Sequence, residues 1–202
     1  NGKKPVFFGL DAKNDFYAKN IKNSGDGKVL ATLCFDNNNI DVEIPAIGTY
    51  MVTNALAAAA AGKLLGLTDE EIANGVASYK TVGSRANVIN TGKIKIIDDC
   101  YNANPTSVRA SLDTLSNLDG RKVAILGDMK ELGSEELKLH FDTGVYAKSK
   151  GIGTVITVGE LAKELAKGAD GKAFDTIEDA KPEILKTIKS GDVVLVKASH
   201  SM

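Results

Sequence analysis

The spacing of apolar positions along the chain changes character once, near residue 82. Before that point, short β-prone runs (PVFFGL from Pro5, KVLATLCF from Lys28, NIDVEIP from Asn39) are separated by turn-rich polar stretches such as NSGDG and DNNN. This pattern predicts antiparallel β structure. The segment TYMVTNALAAAAAGKLL, from Thr49, is rich in Ala and Leu and free of Pro, and Gly66 follows it as a C-cap, so a helix is expected. A second helix should start at Thr68, because Glu71 stands three residues on at the capping-box spacing, and run through EEIANGVASY.

After Val82 strands and helices alternate. The order is strand KIKIID, a helix over about 105–118, strand KVAILGD, a helix over about 134–150, strand TVITVG, helix ELAKELAKG, the stretch IEDAKPEILKTIKSG and strand VVLVKAS. Strands rich in Val and Ile, each followed by a helix, indicate a mostly parallel sheet with helices on both faces: an α/β, doubly wound domain. The boundary is expected in the linker from Gly83 to Asn87, giving domains 1–84 and 85–202. Ligands of such sheets gather beyond the carboxyl ends of the strands. Here those positions are Asp98 to Asn104, Gly127 to Gly133, Gly159 and Ala198 to His200.

Composition narrows the function classes. With 202 residues, 43% of them hydrophobic, the chain can bury one large core or two small ones. Lys and Arg number 25 against 26 for Asp and Glu, so no positive field exists to collect nucleic acid or an anionic membrane surface. Cys34 and Cys100 stand far apart, outside any CxxC or Cys/His cluster, and are expected to be reduced thiols. The first residues, NGKKPVFFGLDAKND, lack an apolar signal core, and no run approaches the roughly 18 apolar residues that span a bilayer. A cytoplasmic protein is expected.

The loop IDDCYNANP places two carboxylates and two carboxamides directly after a strand, with Pro105 suited to the first turn of the next helix. An Asp there can accept from ribose hydroxyls, and Asn side chains offer donors and acceptors to phosphate or amide groups. Capping of the following helix by Asp98 or Asp99 competes with that reading. In LGDMKELGSEE, Gly127 ends a buried strand before Asp128, Lys130 and Glu131, which reads equally as a solvated strand-to-helix turn. His140, on the next helix, is expected to be a surface or satisfied core residue rather than a general base. VKASHSM places Lys197, Ser199 and His200 at a strand end, a setting suited to a carboxylate or phosphate or to a solvated chain end. Arg85 is the one cation near the expected boundary, and Asn54 interrupts an apolar helix. No GxxxxGK[ST], GxGxxG, GxSxG, HExxH or EF-hand pattern occurs.

IDDCYNANPTSVRASL and LGDMKELGSEE closely resemble two signature stretches of the MurF branch of the Mur ligase family. IGTYMVTNALAAAAAGKLLG resembles the family's adenine-side helix, VGSR its interdomain arginine and VLVKASHSM its late substrate-side loop, all in the family's order. DDxYNANP with LGDMxELG is specific to the branch, whereas NALAA alone marks the wider superfamily of folylpolyglutamate synthases and cyanophycin synthetases. The resemblance implies the last part of an ATP-binding central domain followed by a Rossmann-like C-terminal domain that closes over the nucleotide. The implied reaction is an ATP- and Mg2+-dependent ligation in peptidoglycan precursor synthesis. The γ-phosphoryl group of ATP passes to the terminal carboxylate of UDP-MurNAc-tripeptide, and the amine of D-Ala-D-Ala then displaces phosphate from the acyl phosphate.

By the same resemblance, Asn54 matches the asparagine that contacts adenine, Arg85 the arginine that reaches the phosphates and Asp99 the aspartate that binds ribose. Tyr101, Asn102 and Asn104 would line the nucleotide side. Asp128, Met129, Glu131, Leu132, Lys197 and Ser199 would face the dipeptide and the acyl phosphate. Tyr50 and Met51 stand where many members have His-Asn, and His200 where an arginine is frequent. The family's phosphate loop, magnesium ligands and carbamylated lysine have no counterpart in this sequence, so the chain is expected to be a fragment, catalytically silent alone. The competing expectations are a folylpolyglutamate or cyanophycin type ligase and a non-catalytic nucleotide- or peptide-binding module.

Overall fold

The computed structural model describes residues 4–24, 27–199 and 202. The chain divides into two compact units, Asn1–Lys80 and Thr81–Met202, against an expected boundary after residue 84. Local pairing explains the difference. The N–H of Tyr101 donates to the Ser84 carbonyl (2.9 Å) and that of Ala86 to the Asp99 carboxylate (3.1 Å), which ties the linker to the second unit.

In the first unit, β1 (Tyr17–Asn23), β2 (Val29–Phe35) and β3 (Asn38–Ile44) form an antiparallel sheet in that order. The expected strand at PVFFGL is absent: residues 4–10 contribute only an isolated bridge between Phe8 and Phe16. One edge of the sheet is β1, which lies in a stretch that reads as polar. Lys19, Asn20, Lys22 and Asn23 hide its alternation, and the register shifts between Lys19 and Lys22, around Asn20 at φ +55°. Helices α1 (Met51–Leu64) and α2 (Asp69–Ala77) close the core, where Phe16, Leu33, Phe35, Ile44, Val52, Leu56 and Ile72 are buried together. Both helix ends follow their sequence signals. Gly66 and Leu67 donate back to the carbonyls of Lys63 and Gly62, a Schellman motif, and Thr68 with Glu71 forms the expected capping box.

The second unit is a six-stranded sheet in the order β4-β5-β9-β6-β7-β8. Its strands are β4 (Asn87–Asn90), β5 (Lys95–Asp98), β6 (Arg121–Gly127), β7 (Thr154–Val158), β8 (Lys172–Phe174) and β9 (Asp192–Lys197). All neighbours are parallel except β4, which turns back on β5 as a hairpin. The helices are α3 (Pro105–Ser116), α4 (Glu136–Ser149), α5 (Ala162–Ala169) and α6 (Ile177–Thr187), with a short 3-10 turn at Gly133–Glu135 before α4. The doubly wound expectation holds. The central strands β6 and β9 are buried on both faces, which explains why VAILG and VVL read as continuous apolar runs. The edge strands β4 and β8 escape the sequence pattern because β4 is exposed throughout and β8 is only three residues long.

Candidate functional site

Parallel pairing brings the carboxyl ends of the central strands to one edge of the sheet: Asp98 lies opposite Val196, Leu126 opposite Lys197 and Gly127 opposite Val158. The loops after β5, β9, β6 and β7 therefore share that edge, as the sequence predicts.

The loop after β5 is built around Asp99. One carboxylate oxygen accepts from the Ala86 N–H (3.1 Å), and the other accepts from the Ser111 hydroxyl and the Lys197 ammonium (each 2.7 Å). Most of the carboxylate's acceptor capacity is thus met from within the chain. The side chain expected to bind ribose is engaged in holding the linker, α3 and β9 together. Asn104 caps α3: its side-chain oxygen accepts from the Ser107 N–H (2.9 Å), while its own N–H donates to the Ser107 hydroxyl (3.1 Å). The capping expected of Asp98 or Asp99 thus falls to Asn104, and Pro105 opens the helix. Asn102 accepts from the Ala103 N–H through its side chain and from Lys197 through its carbonyl. Tyr101 is 48% exposed, and the Arg85 guanidinium lies over its ring, 3.6 Å from the centroid. These two side chains form the open face of the cluster that follows β5. Cys100 is half-buried and its thiol donates towards the Val196 carbonyl; burial first, and the neighbouring Asp98 carboxylate next, push its pKa up to about 11. It stays a thiol at neutral pH.

The loop after β6 has a buried side and an exposed side. Asp128 is buried: one carboxylate oxygen accepts from the Ala162 N–H at the start of α5 (2.8 Å), and the other from the Lys130 ammonium (2.8 Å). A negative charge suits that helix end. The fit needs glycine at 159, where φ is +116° and a Cβ would lie 2.4 Å from the Asp128 carboxylate. Met129 is fully buried; its N–H donates to Nε2 of His140 (2.9 Å), whose Nδ1 lies 2.7 Å from the Glu136 carbonyl oxygen. The His140 ring therefore carries its proton on Nδ1 and is a satisfied core residue, as expected. Ser199 donates its N–H to the Asp128 carbonyl (3.3 Å) and accepts from the Lys130 N–H (3.2 Å), which binds the end of β9 to the same loop. Of the residues expected to face the dipeptide, Asp128, Met129, Lys197 and Ser199 are buried supports, and Glu131 and Leu132 are left outside them. Glu131 takes φ +63°, which helps turn this stretch outward. His200 lies outside the described residues.

Asn54 belongs to the first unit. It is exposed on the first turn of α1, donating to the Met51 sulfur (3.4 Å), at a groove of about 350 Å³ between α1 and α2 lined mainly by Ala55, Ala58, Ile72, Val76 and Tyr79. An apolar slot with one carboxamide is a setting that suits a heteroaromatic base. Among the described residues no cluster of three or more His, Cys, Asp or Glu side chains could hold a metal ion. Among them, too, no helix is long and apolar enough to cross a membrane.

Two domain families match the chain: the Mur ligase middle domain over residues 1–62 and the Mur ligase glutamate ligase domain over residues 84–200. The UDP-N-acetylmuramoyl-tripeptide--D-alanyl-D-alanine ligase of Bacillus subtilis (strain 168) is 34% identical over 96% of this chain and 44% of its own length. Among solved structures, MurF from Acinetobacter baumannii superposes with a TM-score of 0.89 at 31% identity, over 96% of this chain and 43% of that one. MurF ligase from Thermotoga maritima in complex with ADP gives 0.85 at 28% identity, over 97% and 45%. The chain spans less than half the length of the relatives it matches.

Proposed function

The chain belongs to the Mur ligase family, and we propose that it is the nucleotide-closing and dipeptide-side part of an ATP-dependent ligase joining D-Ala-D-Ala to UDP-MurNAc-tripeptide in the cytoplasm. Residues 1–84 would be the last part of the ATP-binding domain and 85–202 the closing domain. The observation that carries the reading is the placement of DDCYNANP and LGDMKELG, the branch-specific stretches, at the ends of β5 and β6 on one sheet edge, on either side of β9 and joined through its end.

In the proposed reaction the tripeptide carboxylate takes the γ-phosphoryl group, and the dipeptide amine then attacks the acyl phosphate and expels phosphate. ATP supplies the activation. This chain's residues bind and orient. The carboxamide of Asn54 offers a donor and an acceptor to the base, and the exposed Arg85 guanidinium offers a permanent positive charge to the phosphates. Tyr101 holds that guanidinium in a stacked position until the phosphates compete for it. Glu131 and Leu132 form the outer side of the loop that would meet the dipeptide. Magnesium and the phosphate-gripping groups would be held by parts of the relatives that this chain does not cover.

The test is phosphate release from ATP with UDP-MurNAc-tripeptide and D-Ala-D-Ala, run on this chain and on any longer product of the same reading frame. Release only from the longer product, dependent on both substrates, is expected. A longer product that is inactive, or that accepts glutamate in place of the dipeptide, would refute the assignment.

A further inference from the structure

The Asp99 carboxylate joins four segments of the second unit: the linker through Ala86, α3 through Ser111, β9 through Lys197, and its own loop. Lys197 is 2% exposed, and its ammonium also donates to the Asn102 carbonyl (2.7 Å), with the Asp99 carbonyl 3.4 Å away. An ammonium has three protons, and three acceptors surround this one. It has nothing left to offer a ligand. What it does hold is the backbone under the exposed pair. Ala86 takes φ +54°, a left-handed conformation that a residue with a Cβ adopts at a cost, and the Asp99 carboxylate accepts the N–H of that strained residue. Arg85 precedes Ala86, and the N–H of Tyr101 is bound to the carbonyl of Ser84. Arg85 and Tyr101 are thus both one or two residues from backbone groups fixed by this cluster.

We propose that Lys197 is a positioning residue of the nucleotide side: acting through Asp99 and the Asn102 carbonyl, it fixes the linker at Ala86 and so sets where the Arg85 guanidinium stands over Tyr101. This assigns Lys197 to ATP rather than to the dipeptide, and it deepens, and for its kinetic arm rests on, the ligase reading. A lysine suits the task because its single charged head can serve a carboxylate and two main-chain carbonyls that converge at a buried point. Without that ammonium, the half-buried carboxylate would be left with its charge unpaired, at a cost in stability.

The experiment has two arms. In this chain, Lys197→Met is compared with the unaltered protein by residue-resolved amide hydrogen exchange. Exchange at Ala86 and Tyr101 should quicken by about tenfold, the scale of losing one hydrogen bond to a charged group, while the amides of Val123 to Leu126 keep their rates. In the longer product, KM for ATP should rise by about tenfold and KM for D-Ala-D-Ala should stay within about twofold, with kcat little changed. Lys197→Gln, which keeps an N–H donor group without the charge, takes the place of Lys197→Met if the latter fails to fold, with the same expectations. Unchanged exchange at Ala86, a general rise that includes β6, or a KM effect on the dipeptide instead of ATP would overturn the proposal. The exchange arm needs no catalysis, so an inactive longer product would sink the ligase reading, and the exchange rates alone would then decide the role of Lys197.

Discussion

Asp192 opens β9 at 2% exposure, where the Arg121 guanidinium grips both of its carboxylate oxygens (2.8 and 2.6 Å) and the Lys189 N–H donates to one of them (2.7 Å). The Arg121 hydrogen bonds are the main reason its pKa lies below the usual carboxylate value; burial opposes them. A carboxyl group with a depressed folded-state pKa stabilises the fold at any pH above its unfolded value, and that contribution disappears as pH falls through the folded value. The chain should therefore lose stability on acidification from the ordinary carboxylate range downward. Asp192→Asn should be less stable at pH 7 and should show a shallower loss between about pH 4 and pH 2, read from urea midpoints at each pH. Parallel pH profiles for the two proteins would refute the role. Asp192 and Asp99 look alike in the sequence, each an aspartate next to an apolar run; only the fold shows one tied to Arg121 at the strand's entry and the other to Lys197 at its exit edge.

At the scale of elements, the α4–α5 pair is set by two glycines. A Cβ at Gly144 would lie 2.0 Å from the Leu165 carbonyl oxygen, and one at Gly168 would lie 2.2 Å from that of Phe141, so each helix backbone rests directly on the other. Gly75 in α2 is the contrasting case, with nothing within 4 Å of the same position. Gly144→Ala should cost about 2 kcal/mol or more by forcing the helices apart, and Gly75→Ala should gain about 0.5–1 kcal/mol through helix propensity alone. Denaturant melts of the two variants beside the parent check both signs. Sequence spacing locates α1, α2, α3, β6, β7 and β9 because each carries an uninterrupted period or a cap signal. It misplaces the first strand, since an edge strand with one buried face can be written mostly in Lys and Asn, and PVFFGL has the composition of a strand but pairs only through the single Phe8–Phe16 bridge. No sequence period marks the contact made by Gly144 and Gly168, because nothing local forces helices to touch.

Across the molecule, each unit carries its own sheet and its own buried residues. The second, Thr81–Met202, has the size at which a single core sustains an independent fold. Residues 81–202 expressed alone should unfold in one cooperative transition followed by circular dichroism. A non-cooperative melt, or retention of far-ultraviolet signal without near-ultraviolet signal, would show that its packing depends on more of the chain.

Period, caps and loop chemistry were enough to establish the α/β class, the alternation of the second half, the edge at which a site would lie and, through DDCYNANP and LGDMKELG, the family. Those features are written locally in the amino-acid order. Which polar residues face outward and which hold the loops from beneath was settled only by folding. Lys197, Asp99, Asp128 and Ser199 all appear at strand ends, where sequence favours ligand contact, yet each is matched by a partner 34 to 98 residues away. Whether a charge reaches solvent or a buried counter-charge depends on which distant segment folds over it. That is a property of strand order, and the order of these parallel strands is fixed by the packing of the whole sheet.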